Sequence, residues 1–390
     1  MVAISTQLHQ ISGIGVACNR ILNGRHARIP QDAQVVACDN HWTISEDIFF
    51  REAPAQLRDE MPRIWWDDDA QIFNIGPKFN GLYGGELAPL IKSIEDRSGS
   101  RCLRDRLVDL DDEGVSMEIV FPQSLQFYFN YPNFEAREWV FRVYNEYIAN
   151  ISNQSGGRFF GVGIPNYWDQ TKTRSSLRQI VDLGLKTYQI PINPGIGSDG
   201  VKIDYAGENM DLFWDAVAEV GLPVCFHIGE AQGYGGRGGT AITAFQNFGP
   251  FRKTMGELIF GGILDRHPSL QINFVEANVA WVPAALQDAE LIIDTFDTLL
   301  KPRPEQRPTD YWRRNLHATF QYDKVGMRLI DMIGPDRIMW GHDYPHNEGT
   351  LGFTADALNL VRDSVPDADA RKMLGENAIS LFDLPRCRQE

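Results

Sequence analysis

The chain of 390 residues is 43% apolar and 23% charged, and its 52 acidic against 37 basic side chains leave a net charge of −15. This is ordinary core-forming composition, and the charge repels nucleic acid and anionic membrane, so neither is an expected partner. No apolar run approaches the ~20 residues of a membrane helix, and no leader pattern opens the chain.

The five cysteines (Cys18, Cys38, Cys102, Cys225, Cys387) are scattered without CxxC spacing, and two of them lie in apolar strand-like runs. An odd, dispersed set fits a reducing compartment, so a cytoplasmic protein is expected.

Residues 1–34 read as an irregular arm in which His9 and His26 carry no signal. The first strand is predicted over 35–41. The stretch from about 49 to 106, rich in Pro, Gly, Trp and acidic residues, does not fit the alternation that follows it. It reads as an insertion capping the mouth of the fold after strand 1. Its aromatics Trp65, Trp66, Phe73, Phe79 and Tyr83 either line an apolar pocket or pack the insertion itself.

From there, β-branched or aromatic runs alternate with helix-compatible stretches. Strands are predicted over 115–121, 159–165, 187–192, 223–228, 271–276, 317–322 and 337–343. The helices between them span 134–151, 175–183, 209–220, 251–264, 282–300, 325–333 and 354–361. A last helix, about 370–384, closes off the barrel exterior. Eight strands in such alternation predict a parallel sheet, and eight is the number that closes a (β/α)8 barrel, a TIM barrel. An open doubly wound sheet shares the pattern. Residues 35–390 are therefore read as one barrel with an insertion.

In a barrel, chemistry sits at the carboxyl ends of strands. Asp39 and His41 end the first, His227 the fifth, Asp343 the eighth. Asp39 and His41 are two positions apart and so share a face of the strand. Two imidazoles and two carboxylates form a mixed N/O set suited to zinc, manganese or a similar ion. Singly, each residue has a plainer reading: a histidine ending an apolar strand is usually a satisfied core residue, and such an aspartate usually a cap. Their coincidence on one face is what points to one divalent ion.

The motifs Asp39-Asn40-His41, Pro223 to His227, Asp265-Arg266-His267-Pro268-Ser269-Leu270 and the run Arg337 to His346 (Arg-Ile-Met-Trp-Gly-His-Asp-Tyr-Pro-His) carry a family resemblance. Weaker agreement lies in Leu110-Asp111-Asp112-Glu113-Gly114-Val115 and in Gly375-Glu376-Asn377-Ala378. Together they span about 35–384. The chain resembles the amidohydrolase superfamily, in the branch of aminocarboxymuconate-semialdehyde decarboxylase and the aromatic-acid decarboxylases. The resemblance implies metal ligands at Asp39, His41, His227 and Asp343, with Asp343 and His227 in catalysis. It also implies an aromatic or cyclic carboxylate as substrate and, from relatives that are often dimers, a homodimer.

Two departures stand out. The acidic ligand of strand 1 is Asp, where many decarboxylases of the branch carry Glu. Strand 6 ends in Glu276-Ala277-Asn278, where many members have a histidine. Glu276 could touch the metal, orient a water or hold substrate. No lysine ends strand 4, since Lys186 starts it, so one metal rather than two is implied.

The resemblance favours non-oxidative loss of CO2 from an aromatic or unsaturated acid, with Asp343 relaying a proton. The alternative is hydrolysis of a cyclic ester, amide or C–C bond by a metal-activated water, with Asp343 as base. A metal-stabilised barrel used only for binding is disfavoured, because structural sites usually close with Cys and His.

His346, three positions past Asp343, is either substrate-facing or a cap. Arg237, in the Gly-rich run 233–239, is a candidate partner for a substrate carboxylate on a mobile lid. That run matches neither phosphate-binding glycine pattern. His267, His317 and His342 read as structural, and no GxSxG elbow offers a covalent nucleophile.

Overall fold

The computed structural model describes residues 21–77, 88–230 and 233–386. Phe79 and Tyr83 of the insertion, His9, Cys18 and Cys387 lie outside the described residues.

Eight parallel strands run in sequence order around the fold. They are β1 (Val36–Trp42), β4 (Met117–Pro122), β5 (Phe159–Gly161), β6 (Tyr188–Gln189), β7 (Val224–His227), β8 (Ile272–Val275), β9 (Leu316–Phe320) and β10 (Ile338–Trp340). A bridge between Gly163 and Tyr188 joins β5 to β6. The ring closes where His41 N donates to Tyr344 O (2.7 Å) and Asp343 N to Asp39 O (2.5 Å). Two strands left over, β2 (Pro62–Asp67) and β3 (Ile72–Pro77), form an antiparallel hairpin in the stretch read as insertion. Among the described residues no helix is long and apolar enough to cross a membrane.

The strands are buried on both faces, which is why they read as near-continuous apolar runs. Alternate residues still separate by face. Val36 and Cys38 join Met117, Ile119, Phe121, Val162, Cys225, Val275 and Met339 in the barrel interior. Val35 and Ala37 join the larger layer between strands and helices. All the barrel strands but β1 are shorter than the sequence runs that predict them.

Two further corrections concern helices. The helix Leu103–Asp112 begins inside the stretch read as insertion and leads into β4. Its apolar residues Leu103, Leu107 and Leu110 keep helical spacing, but the charges between them hide it. The C-terminal stretch is several short helices, and Ala378, Ile379, Phe382 and Leu384 pack on the interior cluster rather than the exterior. The described part of the N-terminal arm is docked: Asn23 N donates to Glu113 Oε1 (2.7 Å), and Arg28 pairs with Asp363 (2.7 Å).

Candidate metal centre

β1 delivers Asp39 and His41 to one face, both buried. The β1–β4 register shifts between Ala37 and Asn40, at the point where the site begins. Gly341, just past β10, allows the close approach: a Cβ there would lie 2.8 Å from Asp39 Cβ. His227 ends β7, and its Nδ1 lies 2.8 Å from Ile228 O. A carbonyl can only accept, so Nδ1 carries a proton and Nε2 is the nitrogen turned toward the cluster. That nitrogen faces Asp39 Oδ1 at 3.1 Å and Glu276 Oε2 at 3.3 Å.

Glu276 follows β8 with φ 77°, and Thr319 Oγ1 accepts from its N–H at 2.8 Å. Asn278 and Asp343 are also in the left-handed region, at φ 55° and 56°. Non-glycine residues held there cost of order 1–3 kcal/mol each and cluster where a side chain must be aimed. Asp39, His41, His227 and Glu276 offer one atom each within 4.8 Å of one another.

Asp343 does not fall in that group of four. It forms an adjacent group with His41 and His346, its Oδ1 lying 3.2 Å from His41 Nε2 and 2.8 Å from His346 Nδ1. The ring of His346 stacks on that of His41 with centroids 4.0 Å apart, and its Nε2 meets Gln123 Oε1 at 2.9 Å.

The electrostatics follow from crowding. Burial, then the charges of Asp343 and Asp39, push Glu276 well above the usual carboxylate range. Burial raises Asp343 to about 7, against the pull of His346. Burial works against a charge on His346, but Asp343 overcomes it and lifts the imidazole to about 9. Burial, then His346 and His227, holds His41 well below its ordinary value.

These residues fit a divalent cation. Asp39 Oδ2, both His41 nitrogens and Asp343 Oδ2 are buried without a hydrogen-bond partner. Lone pairs of imidazole and carboxylate point at one another, an arrangement that is repulsive unless a cation or protons lie between them. The donor set suits zinc or manganese.

The cluster floors a cavity of about 140 Å³. His41, His227, Glu276 and His346 line it, as do Phe121, Gln123, Gln126, Gln189, Asn247, Phe248 and Glu348. Arg237 is exposed and outside this lining. Among the described residues none of the insertion lines it either, Trp65, Trp66 and Phe73 included. The helix Gly239–Asn247, which follows the Gly-rich run, contributes Ala244 and Asn247 instead.

Sequence reading missed Gln123, Gln189 and Glu348. Gln189 on β6 had one signal, a polar residue inside an apolar strand. Three other histidines are paired away from the cluster. His342 Nε2 meets Glu113 Oε2 at 3.1 Å, His317 Nε2 meets Gln271 Oε1 at 3.0 Å, and His267 faces Asp215 at 3.7 Å. Lys186 pairs with Asp383 away from the site.

The chain belongs to the amidohydrolase family, whose model matches residues 104–384. No curated protein matches it by sequence. Among solved structures it is similar to an amidohydrolase from Mycobacterium avium subsp. paratuberculosis, with 19% identity, 90% of this chain and 100% of that chain covered, and a TM-score of 0.72. It is also similar to 2,6-dihydroxybenzoate decarboxylase from Rhizobium, with 20% identity, 90% and 99% covered, and a TM-score of 0.66. A third is 5-carboxyvanillate decarboxylase from Novosphingobium aromaticivorans, solved with bound manganese, with 18% identity, 92% and 100% covered, and a TM-score of 0.69. At these identities the likeness establishes a shared α/β barrel fold.

Proposed function

We propose that the chain is a metal-dependent carboxy-lyase that removes CO2 from an aromatic or unsaturated carboxylic acid. Asp39, His41 and His227 would hold one divalent ion, zinc or manganese, with Glu276 and Asp343 within reach of it. The observation that carries this reading is the pairing of two groups on one cavity floor: a carboxylate–imidazole cluster, and beside it the Asp343–His346 pair at 2.8 Å. Solved structures with this fold include 2,6-dihydroxybenzoate and 5-carboxyvanillate decarboxylases, which supports the reaction class.

A divalent ion in this set supplies Lewis-acid polarisation of the substrate oxygens it binds. His227, fixed by Ile228 O, orients its lone pair into the set. Asp343 and His346 hold a proton between Oδ1 and Nδ1, and Asp343 delivers it to the carbon that loses the carboxylate. Gln123 holds the far nitrogen of His346 and so fixes that ring.

A second reading is hydrolysis of a cyclic ester, amide or C–C bond, with Asp343 accepting a proton from water. Glu276 favours it, since this carboxylate lies 3.3 Å from His227 where many relatives carry histidine. Incubating the metal-loaded protein with hydroxybenzoates, lactones and cyclic amides separates the two. The decarboxylase reading predicts CO2 release without acid production from the neutral substrates. Acid production from lactones or amides, with no CO2 from any acid, would overturn it.

A further inference from the structure

A second cavity, of about 820 Å³, adjoins the one of about 140 Å³ over the cluster, and Gly229, Asn247 and Phe248 line both. Gly229, two residues past His227, has φ 107°, a conformation that favours glycine, so the strand end places no side chain at the shared wall. Three elements converge on the second cavity. Ile192 and Asn193 follow β6, Gly229 and Glu230 follow β7, and residues 245–250 end the helix Gly239–Asn247. A volume of roughly 150 Å³ holds one benzene ring, so the larger space takes a further ring or a chain of several carbons.

The lining selects for an uncharged occupant. Phe245 and Phe248, three positions apart and so on one side of the helix end, are 83% and 40% exposed. Ile192 and Pro250 add apolar surface. Apolar ligand surface laid on these side chains is taken out of water together with them. No Lys or Arg lines the cavity among the described residues, so an anionic group there has no counter-charge. Glu230 invites no cation either. Its two oxygens accept from Ile192 N at 2.7 Å and Asn193 N at 2.8 Å, and burial raises the carboxyl to about 7.

We infer that the substrate is a two-part molecule, whose reacting group occupies the cavity over the cluster while an uncharged aryl or alkyl arm lies in the larger one against Phe245 and Phe248. The inference deepens the reading above and rests on it for the reacting group's place at the metal. Continuity decides the occupant: the three shared lining residues let one small molecule fill both spaces. Phe245 lines the second cavity alone, so it reads the arm and not the reacting group.

The test is calorimetric binding to manganese-loaded protein of hydroxybenzoates, each as the parent acid and with a phenyl or pentyl arm at successive ring positions. The best arm-bearing acid is expected to bind at least about tenfold more tightly than its parent, the size of a partly buried apolar group. A carboxylate at the end of the same arm is expected to abolish that gain. Phe245→Ser, a change at an exposed position, is expected to cut the ratio to about threefold or less. Arm-bearing acids binding no tighter than their parents would overturn the inference, and so would a charged arm gaining as much as an uncharged one. A wild-type dimer that Phe245→Ser dissociates in light scattering, with the ratio unmoved, would overturn it too and give this face to a second copy of the chain. The same gain shown by arm-bearing lactones or lactams, with no acid of either kind bound, would uphold the two-part substrate and remove the decarboxylation reading.

Discussion

Asn40 donates from Nδ2 to Glu118 Oε2 at 2.6 Å, from the residue that separates Asp39 and His41. Strand alternation sends its side chain away from the metal-facing pair. Arg106 holds the same carboxylate through Nε and Nη2 and stacks on the Tyr344 ring at 3.8 Å. Asn40 Oδ1 accepts from Tyr344 N at 2.9 Å, one residue past Asp343. The network thus ties β1 to the turn that carries Asp343.

Removing Arg106 leaves the fully buried Glu118 carboxylate without its cation. Breaking a buried pair from one side costs about 3–5 kcal/mol. Arg106→Met is therefore expected to lower stability by that order in denaturant unfolding, and to lower activity in the protein that stays folded. A loss below about 1 kcal/mol would show that the pair does not hold this part of the barrel.

Asp343→Asn is expected to keep the metal and lose about 10²- to 10⁴-fold in kcat, the range for a positioned proton-transfer group. Metal content and turnover measured on the same preparation check this. Wild-type turnover in the variant would remove Asp343 from the mechanism.

Glu276 shares the group of four with Asp39, His41 and His227. Glu276→Gln is expected to weaken manganese binding by at least about tenfold in a competition titration. Unchanged affinity would assign Glu276 to substrate or to the fold alone.

His317, at the opposite end of the barrel, sets part of the acid stability. Burial, then the charge of Arg337, holds its imidazole neutral down to about 3, against an ordinary value of 6.5. The unfolded chain therefore takes up this proton first as the solution is acidified. The stability involved is intact above pH 6.5 and is lost progressively as pH falls toward 3. In metal-free protein, His317→Gln is expected to flatten the fall in Tm between neutral pH and about 4. An unchanged acid limb would contradict it.

How far the sequence reached is clear from particular residues. Asp39 and His41 were legible because two-residue spacing fixes a shared strand face, and His227 because an apolar run ends on it. Asp343 was legible as a strand end, but not the turn at φ 56° that sets it beside His346 rather than in the group of four. The barrel itself follows from eight alternating units. The β2–β3 hairpin and the helix Leu103–Asp112 did not, because polar residues mask their periodicity. Gln189 and Gln123 were invisible as site residues: amides have no ligand spacing, and only closure of the barrel brings them over the cluster.

The most direct test is elemental analysis of purified wild-type protein beside His227→Gln, with folding of both checked by circular dichroism. One zinc or manganese per chain in the wild type, lost from the folded variant, is the predicted result. A folded wild-type chain that takes up no divalent ion on loading, or a variant that keeps it with equal affinity, would contradict the account.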